Sequence, residues 1–287
     1  MNNKNCILMV TGDPYVDLTM VCLHSLVKQS PNADILLYVD GDISPYKKFK
    51  KYVDVRPITY MIPILTDVGG KYLTVPNKDI LAYRLMLLDE FKYKYDKILF
   101  LDVDTLIVDN FDELFDLSDD FIYGVDQIES HVGFLKSISL EMLYDGDMYF
   151  NSGVLLLPSK QLRRFNLFTE FLREIYIRGR YYTCPEQDFI NVMFNNKVAI
   201  SKIYNRTCSN VCYHEKPKII HYVSHTKPHA VGMMHLLLDD EIYRKYLAFV
   251  ETIKEDVSPL FYKKLKDNID SLDNFIEQNN ITNFVRL

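Results

Sequence analysis

Short apolar runs alternate along this chain with longer stretches in which apolar side chains recur every three or four positions. CILMV (6–10) reads as a strand buried on both faces. A polar turn, TGDPY, separates it from an apolar-periodic helix over 16–27. ADILLYVD (33–40) predicts a second buried strand, and ILAYRLMLLDEF (80–91) a second helix with Leu81, Leu85 and Leu88 on one face. KILFL (97–101), FIYGVD (121–126) and GVLLLP (153–158) add three strands, and QLRRFNLFTEFLREIYIR (161–178) one long amphipathic helix. Strands alternating with helices imply an α/β fold, an open and mostly parallel sheet covered on both faces. No Ser/Gly linker, low-complexity tract or internal repeat divides the chain. The pattern predicts one main domain over 1–235, with a charged helical appendage over 236–287 packed on it.

Composition narrows the function classes. With 287 residues, 48% of them hydrophobic, the chain can bury a sizeable core. A net charge of -6 lacks the clustered basic excess of a polyanion binder, so no nucleic-acid partner is expected. The apolar run near the start is too short for a signal peptide or a membrane span, which predicts a cytoplasmic protein. Five scattered cysteines form no disulfide framework. Cys208, Cys212 and nearby His214 lack a fourth soft ligand, so a zinc site there is a weak match.

The chemistry begins where the strand KILFL runs into DVDTL. In sheets of this kind, ligands gather beyond the carboxyl ends of the strands. Asp102 and Asp104 alternate with Val103, so an extended backbone points them the same way, their Cα atoms about 6 to 7 Å apart. Two carboxylates that close repel unless a cation joins them, and Mg²⁺ or Mn²⁺ is the natural bridge. The plainer alternative is one aspartate capping a turn and one solvated. Two enzyme classes place D-x-D here: phosphatases of the haloacid-dehalogenase type, whose first Asp is a nucleophile, and sugar-nucleotide-dependent glycosyltransferases, whose pair holds a metal on the donor diphosphate. The phosphatase pattern wants the motif in the first strand and a later acidic pair, whereas a strand, a helix and another strand precede it here and GDMYFN (146–151) lacks the second acid.

Downstream strings favour the second class. DMYFNSGVLLLPSK (147–160), CPEQDFIN (184–191) and KIIHYVSHTKPH (218–229) follow FLDVDTL in that order. Together they resemble the retaining glycosyltransferases of family 8, the glycogenin-like and bacterial galactosyltransferase-like enzymes, over about residues 5 to 230. The resemblance implies a single Rossmann-like nucleotide-sugar-binding domain of the GT-A type with a mostly parallel, mixed sheet. It implies Asp102, Asp104 and His221 as metal ligands, Mn²⁺ or Mg²⁺ as cofactor and a UDP-hexose as donor. Lys227 and Arg84 would face the donor diphosphate, where a cation stabilises the charge that grows on the leaving group. Thr11, Asp13 and Tyr15 would contact the uridine, Tyr15 by stacking. Asp126, Asn151 and Ser152 would surround the donor sugar, with Glu186, Gln187 and Asp188 on its reacting face. Gln187, an amide, is poorly suited to be a full nucleophile; either the diphosphate oxygen helps deprotonate the acceptor, or Glu186 or Asp188 assists or attacks.

Three departures from the family pattern stand out: Ser224 where Gly is usual after H-Y-x, His229 where K-P-W is usual, and E-Q-D in place of the glycogenins' D-Q-G. The last resembles members that do not prime themselves. Tyr204, seventeen residues before His221, lies close to where a priming tyrosine would fall, but an aromatic followed by turn-forming Asn205 explains the pair without chemistry. The expected activity is metal-dependent transfer of glucose or galactose from UDP to a hydroxyl acceptor with retention. A self-glucosylating primer, the phosphatase and an inactive carbohydrate-binding relative are the rivals. The resemblance to glycogenins also suggests a homodimer.

Overall fold

Strands that are apolar at every position need cover on both faces, and they sit at the centre of the sheet. The structure, a computed structural model, describes residues 4–59, 78–127, 147–178, 182, 184–208, 215–223, 226–233, 236 and 239–279. The chain forms two compact units: Met1–Pro14, Pro31–Asp102 and Phe111–Ser201 make the first, and Tyr15–Ser30, Val103–Asn110 and Lys202–Leu287 the second.

The first unit holds a seven-stranded sheet. Its strands are β1 (Asn5–Gly12), β2 (Asp34–Asp40), β3 (Val53–Pro57), β4 (Lys97–Leu101), β6 (Ile122–Asp126), β7 (Phe150–Pro158) and β8 (Lys197–Ala199), in the order β3-β2-β1-β4-β7-β6-β8. Neighbours are parallel except at β7, which runs against both β4 and β6. The sheet is thus mostly parallel and mixed, as expected. β3 and β8 are short, half-exposed edge strands that no apolar run announces. β7 begins at Phe150, three residues before the apolar run does. The helices α2 (Lys78–Phe91), α3 (Leu167–Arg178) and α4 (Pro185–Met193) pack on one another, and their apolar sides join β-strand residues such as Leu8, Leu36, Phe100 and Leu155 in one buried core. The single helix expected over 161–178 is instead one turn, Ser159–Leu162, then α3. The break has a cause: the Asp89 carboxylate on α2 accepts from Leu167 N–H (3.0 Å) and Phe168 N–H (2.8 Å), capping a new helix start.

The second unit contains α1 (Val16–Gln29), a two-stranded antiparallel ribbon of β5 (Thr105–Ile107) and β9 (Ile219–His221), α5 (Asp240–Thr252) and α6 (Pro259–Gln278). α1 stops at Ser30, which turns left-handed (φ 48°) before Pro31. It packs on β5, where Ser25 Oγ accepts from Ile107 N–H at 3.1 Å. α6 starts at Pro259 behind an N-cap, Ser258, whose hydroxyl accepts from Phe261 N–H (3.2 Å) and donates to Asp17 (2.7 Å). Tyr222, directly after β9, is buried against Tyr246 with ring centroids 4.8 Å apart and donates to Ile242 O at 2.7 Å. Among the described residues no helix is long and apolar enough to cross a membrane.

Candidate active site

β4 delivers Asp102 to its carboxyl end, and the ladder with antiparallel β7 extends one step further: Asp102 N–H donates to Gly153 O at 2.8 Å. That register sets the polar start of β7 beside the first aspartate. Arg84, on α2, is only 5% exposed, and its guanidinium carbon lies over the Phe100 ring, 3.7 Å from the centroid. One nitrogen donates to Asp102 Oδ1 (2.7 Å) and the other to Glu186 Oε2 (2.8 Å). Glu186 itself is 2% exposed; burial pushes its carboxyl up to about 7, with Arg84 pulling the other way.

The rest of the E-Q-D string is held inside the first unit. Gln187 Oε1 accepts from Asn151 Nδ2 (3.1 Å) and Ser152 N–H (3.0 Å), while its amide nitrogen donates to Tyr149 Oη (3.0 Å). Asp188 accepts from the Tyr149 hydroxyl and from Cys184 N–H (2.9 Å), the latter closing the first turn of α4. Asn191 bonds both ways with the Phe150 backbone at 2.7 and 2.8 Å. Asp126 accepts from Tyr149 N–H at 3.0 Å, where β6 and β7 shift register. Arg84, Asp102, Ser152 and Glu186 therefore converge, Asn151 and Gln187 meet each other, and Asp188 faces Tyr149 and the helix start. Thr11 is buried within β1, and Asp13 accepts from Asp42 N–H at 3.1 Å, bracing the turn at Gly41.

The second unit gathers Tyr15, Asp104, His221 and Lys227. Thr105 pairs with His221 across the β5–β9 ribbon, which brings His221 Nε2 to 3.2 Å from Asp104 Oδ1. Lys227 Nζ lies 2.5 Å from the other Asp104 oxygen and 5.8 Å from the centroid of the Tyr15 ring. Burial alone would raise the Asp104 carboxyl; the opposite charges of His221 and Lys227 outweigh it and hold the group well below the usual carboxylate range. Asp102 is two residues from Asp104 along the chain, and one ligand atom from each of Asp102, Asp104 and His221 falls within 4.8 Å of the others. Two carboxylates and an imidazole suit a hard-to-borderline divalent ion such as Mn²⁺ or Mg²⁺. Asn205, with its side-chain oxygen 3.0 Å from His221 Nδ1, belongs to this group and reads in the sequence only as a turn residue. Tyr204 beside it is half-buried, with Lys218 Nζ 5.7 Å from its ring centroid. Ser224, Cys212 and His214 lie outside the described residues.

Known proteins share this arrangement of elements. The galactosyltransferase LgtC, solved in complex with donor and acceptor sugar analogues, superposes with a TM-score of 0.61 at 20% identity, over 78% of this chain and 88% of that one, and shows the GT-A-type α/β fold. The lipopolysaccharide 1,2-glucosyltransferase of Escherichia coli is 33% identical over 158 residues, 46% of this chain and 45% of that protein. Glycosyltransferase GlyF of Streptococcus pneumoniae serotype 4 is 24% identical over 214 residues, 69% of this chain and 50% of that protein. The chain thus spans about half the length of these two relatives. The model of glycosyl transferase family 8 matches residues 6–230, and the chain belongs to that family.

Proposed function

We propose that this family 8 glycosyltransferase is a metal-dependent, retaining enzyme that moves a hexose, glucose or galactose, from UDP to a hydroxyl acceptor. The observation that carries the reading is the convergence of Asp102, Asp104 and His221. These three would hold Mn²⁺ or Mg²⁺, which when bound supplies Lewis-acid neutralisation of the donor diphosphate. The chain's own residues do the rest. Lys227, already beside Asp104, offers an ammonium to the leaving diphosphate, and Arg84 holds Asp102 in place from behind while keeping Glu186 compensated. Asn151 and Gln187, locked together, fix the start of β7, where short polar groups can orient sugar hydroxyls. Tyr15 provides a face for the uracil. Because Gln187 is an amide and Asp188 is engaged by Tyr149 and Cys184, the reading that fits best has the acceptor proton leaving through the diphosphate oxygen rather than through a carboxylate attack. Family membership leaves the phosphatase alternative without support.

The test is release of UDP from UDP-glucose and UDP-galactose, with Mn²⁺ and with a chelator, alongside the intact mass of the protein. Metal-dependent UDP release without mass gain is expected. Hexose steps that vanish in Tyr204→Phe would instead make it a self-glucosylating primer. Silence with every UDP-sugar and metal would overturn the proposal.

A further inference from the structure

His221 has two ring nitrogens, and the second unit gives each its own neighbour. Nε2 faces Asp104 Oδ1 at 3.2 Å, and Nδ1 faces the side-chain oxygen of Asn205 at 3.0 Å. Both neighbours only accept hydrogen bonds, so they compete for the ring hydrogens; once a metal occupies the Asp104 side, the ring's hydrogen sits on Nδ1 and is donated to Asn205. Nε2 is then the nitrogen left to bind a metal.

The placement of Asn205 is specified by its surroundings. The residue is 0% exposed. Its backbone N–H closes the 202–204 turn on Lys202 O at 3.2 Å. The next residue, Arg206, donates its N–H to Ile219 O (2.9 Å) and accepts from His221 N–H (2.8 Å), so the segment is stitched alongside β9. The Arg206 side chain is anchored in turn by a buried ion pair with Asp239. The main chain that bears Asn205 and the main chain that bears His221 are thus hydrogen-bonded to each other, and the side-chain contact completes the set.

Resting on the metal reading of Asp102, Asp104 and His221, we infer that Asn205 is a positioning residue. It fixes the tautomer and ring orientation of His221 so that Nε2 is presented to the metal, and groups in this relation to a metal ligand typically tune affinity about 10–100-fold.

Two readouts on the full chain test this. ¹⁵N spectra of the metal-free protein are expected to show hydrogen on Nδ1. Calorimetric titration with Mn²⁺ is expected to give about 10–100-fold weaker binding for Asn205→Ala, while Asn205→Asp, which keeps an acceptor in place, stays close to the wild type. A bare Nδ1 in the wild type overturns the inference even if Asn205→Ala fails to fold. So does a folded Asn205→Ala that binds Mn²⁺ as the wild type does. A wild type that takes up neither Mn²⁺ nor Mg²⁺ overturns the metal reading and this role with it, an outcome distinct from a variant that binds equally well.

Discussion

Arg84 and Glu186 form an ion pair at 2.8 Å with side chains 6% and 2% exposed, and the same guanidinium reaches Asp102 at 2.7 Å. Removing the arginine leaves a buried carboxylate uncompensated, so Arg84→Ala should destabilise the protein by about 3–5 kcal/mol in urea unfolding at pH 8. Arg84→Lys should recover little of this, since one ammonium cannot span both carboxylates as the guanidinium does. Stability preserved in the lysine variant would show that the fork geometry is irrelevant.

The same pair makes stability depend on pH. The folded Glu186 carboxyl, at about 7, lies above its ordinary value of 4.5, so between these limits the folded state binds more protons than the unfolded one. Its contribution is fully present below pH 4.5 and is lost as the pH rises through about 7. Relative to Glu186→Gln, the wild type should lose stability over that window, by on the order of 3 kcal/mol at most. Unfolding curves at pH 5, 6, 7 and 8 measure the difference, and a constant offset between the two proteins would rule it out.

Asp104 serves the metal reading most directly, because His221 and Lys227 both converge on it. Asp104→Asn should lower Mn²⁺-supported UDP release by at least about 100-fold, more than loss of a group behind a ligand usually does. Chelation of the wild type should produce a comparable loss that added Mn²⁺ reverses. Activity of the variant equal to the wild type would remove Asp104 from the ligand set.

Gly41 has a φ of +136°, and a Cβ there would fall 2.0 Å from Asp13 Oδ1. Gly41→Ala should therefore destabilise by about 1–3 kcal/mol, seen as a lower melting temperature, and free Asp13 from the Asp42 amide. An unchanged melting temperature would contradict the strain assigned to this turn.

Much of the sheet is legible because β1, β2 and β4 are buried at nearly every position, so their apolar runs announce them directly. β7 hides its first three residues for the opposite reason. Asn151 and Ser152 look like loop residues, yet Gln187 satisfies them inside the unit and the strand passes through. The helix break before Leu167 depends on Asp89, nearly eighty residues away, which no local pattern encodes. Arg84 stands out as a charge among apolar neighbours, and D-x-D stands out at a strand end; both signals are local. Asn205 is invisible by comparison, since its partner His221 is sixteen residues on and its neighbours explain it equally well as a turn. Asp13 has a second tie that its place after β1 does not announce, the Asp42 amide across the turn at Gly41.

The β5–β9 ribbon also bears on how the protein emerges from the ribosome. All seven strands of the large sheet lie between Asn5 and Ala199, so vectorial synthesis finishes them before Ile219 is made. Domains generally fold as units during synthesis. The nascent chain can thus complete its sheet while β5 still lacks a partner strand and Asp104 still lacks the imidazole that β9 brings.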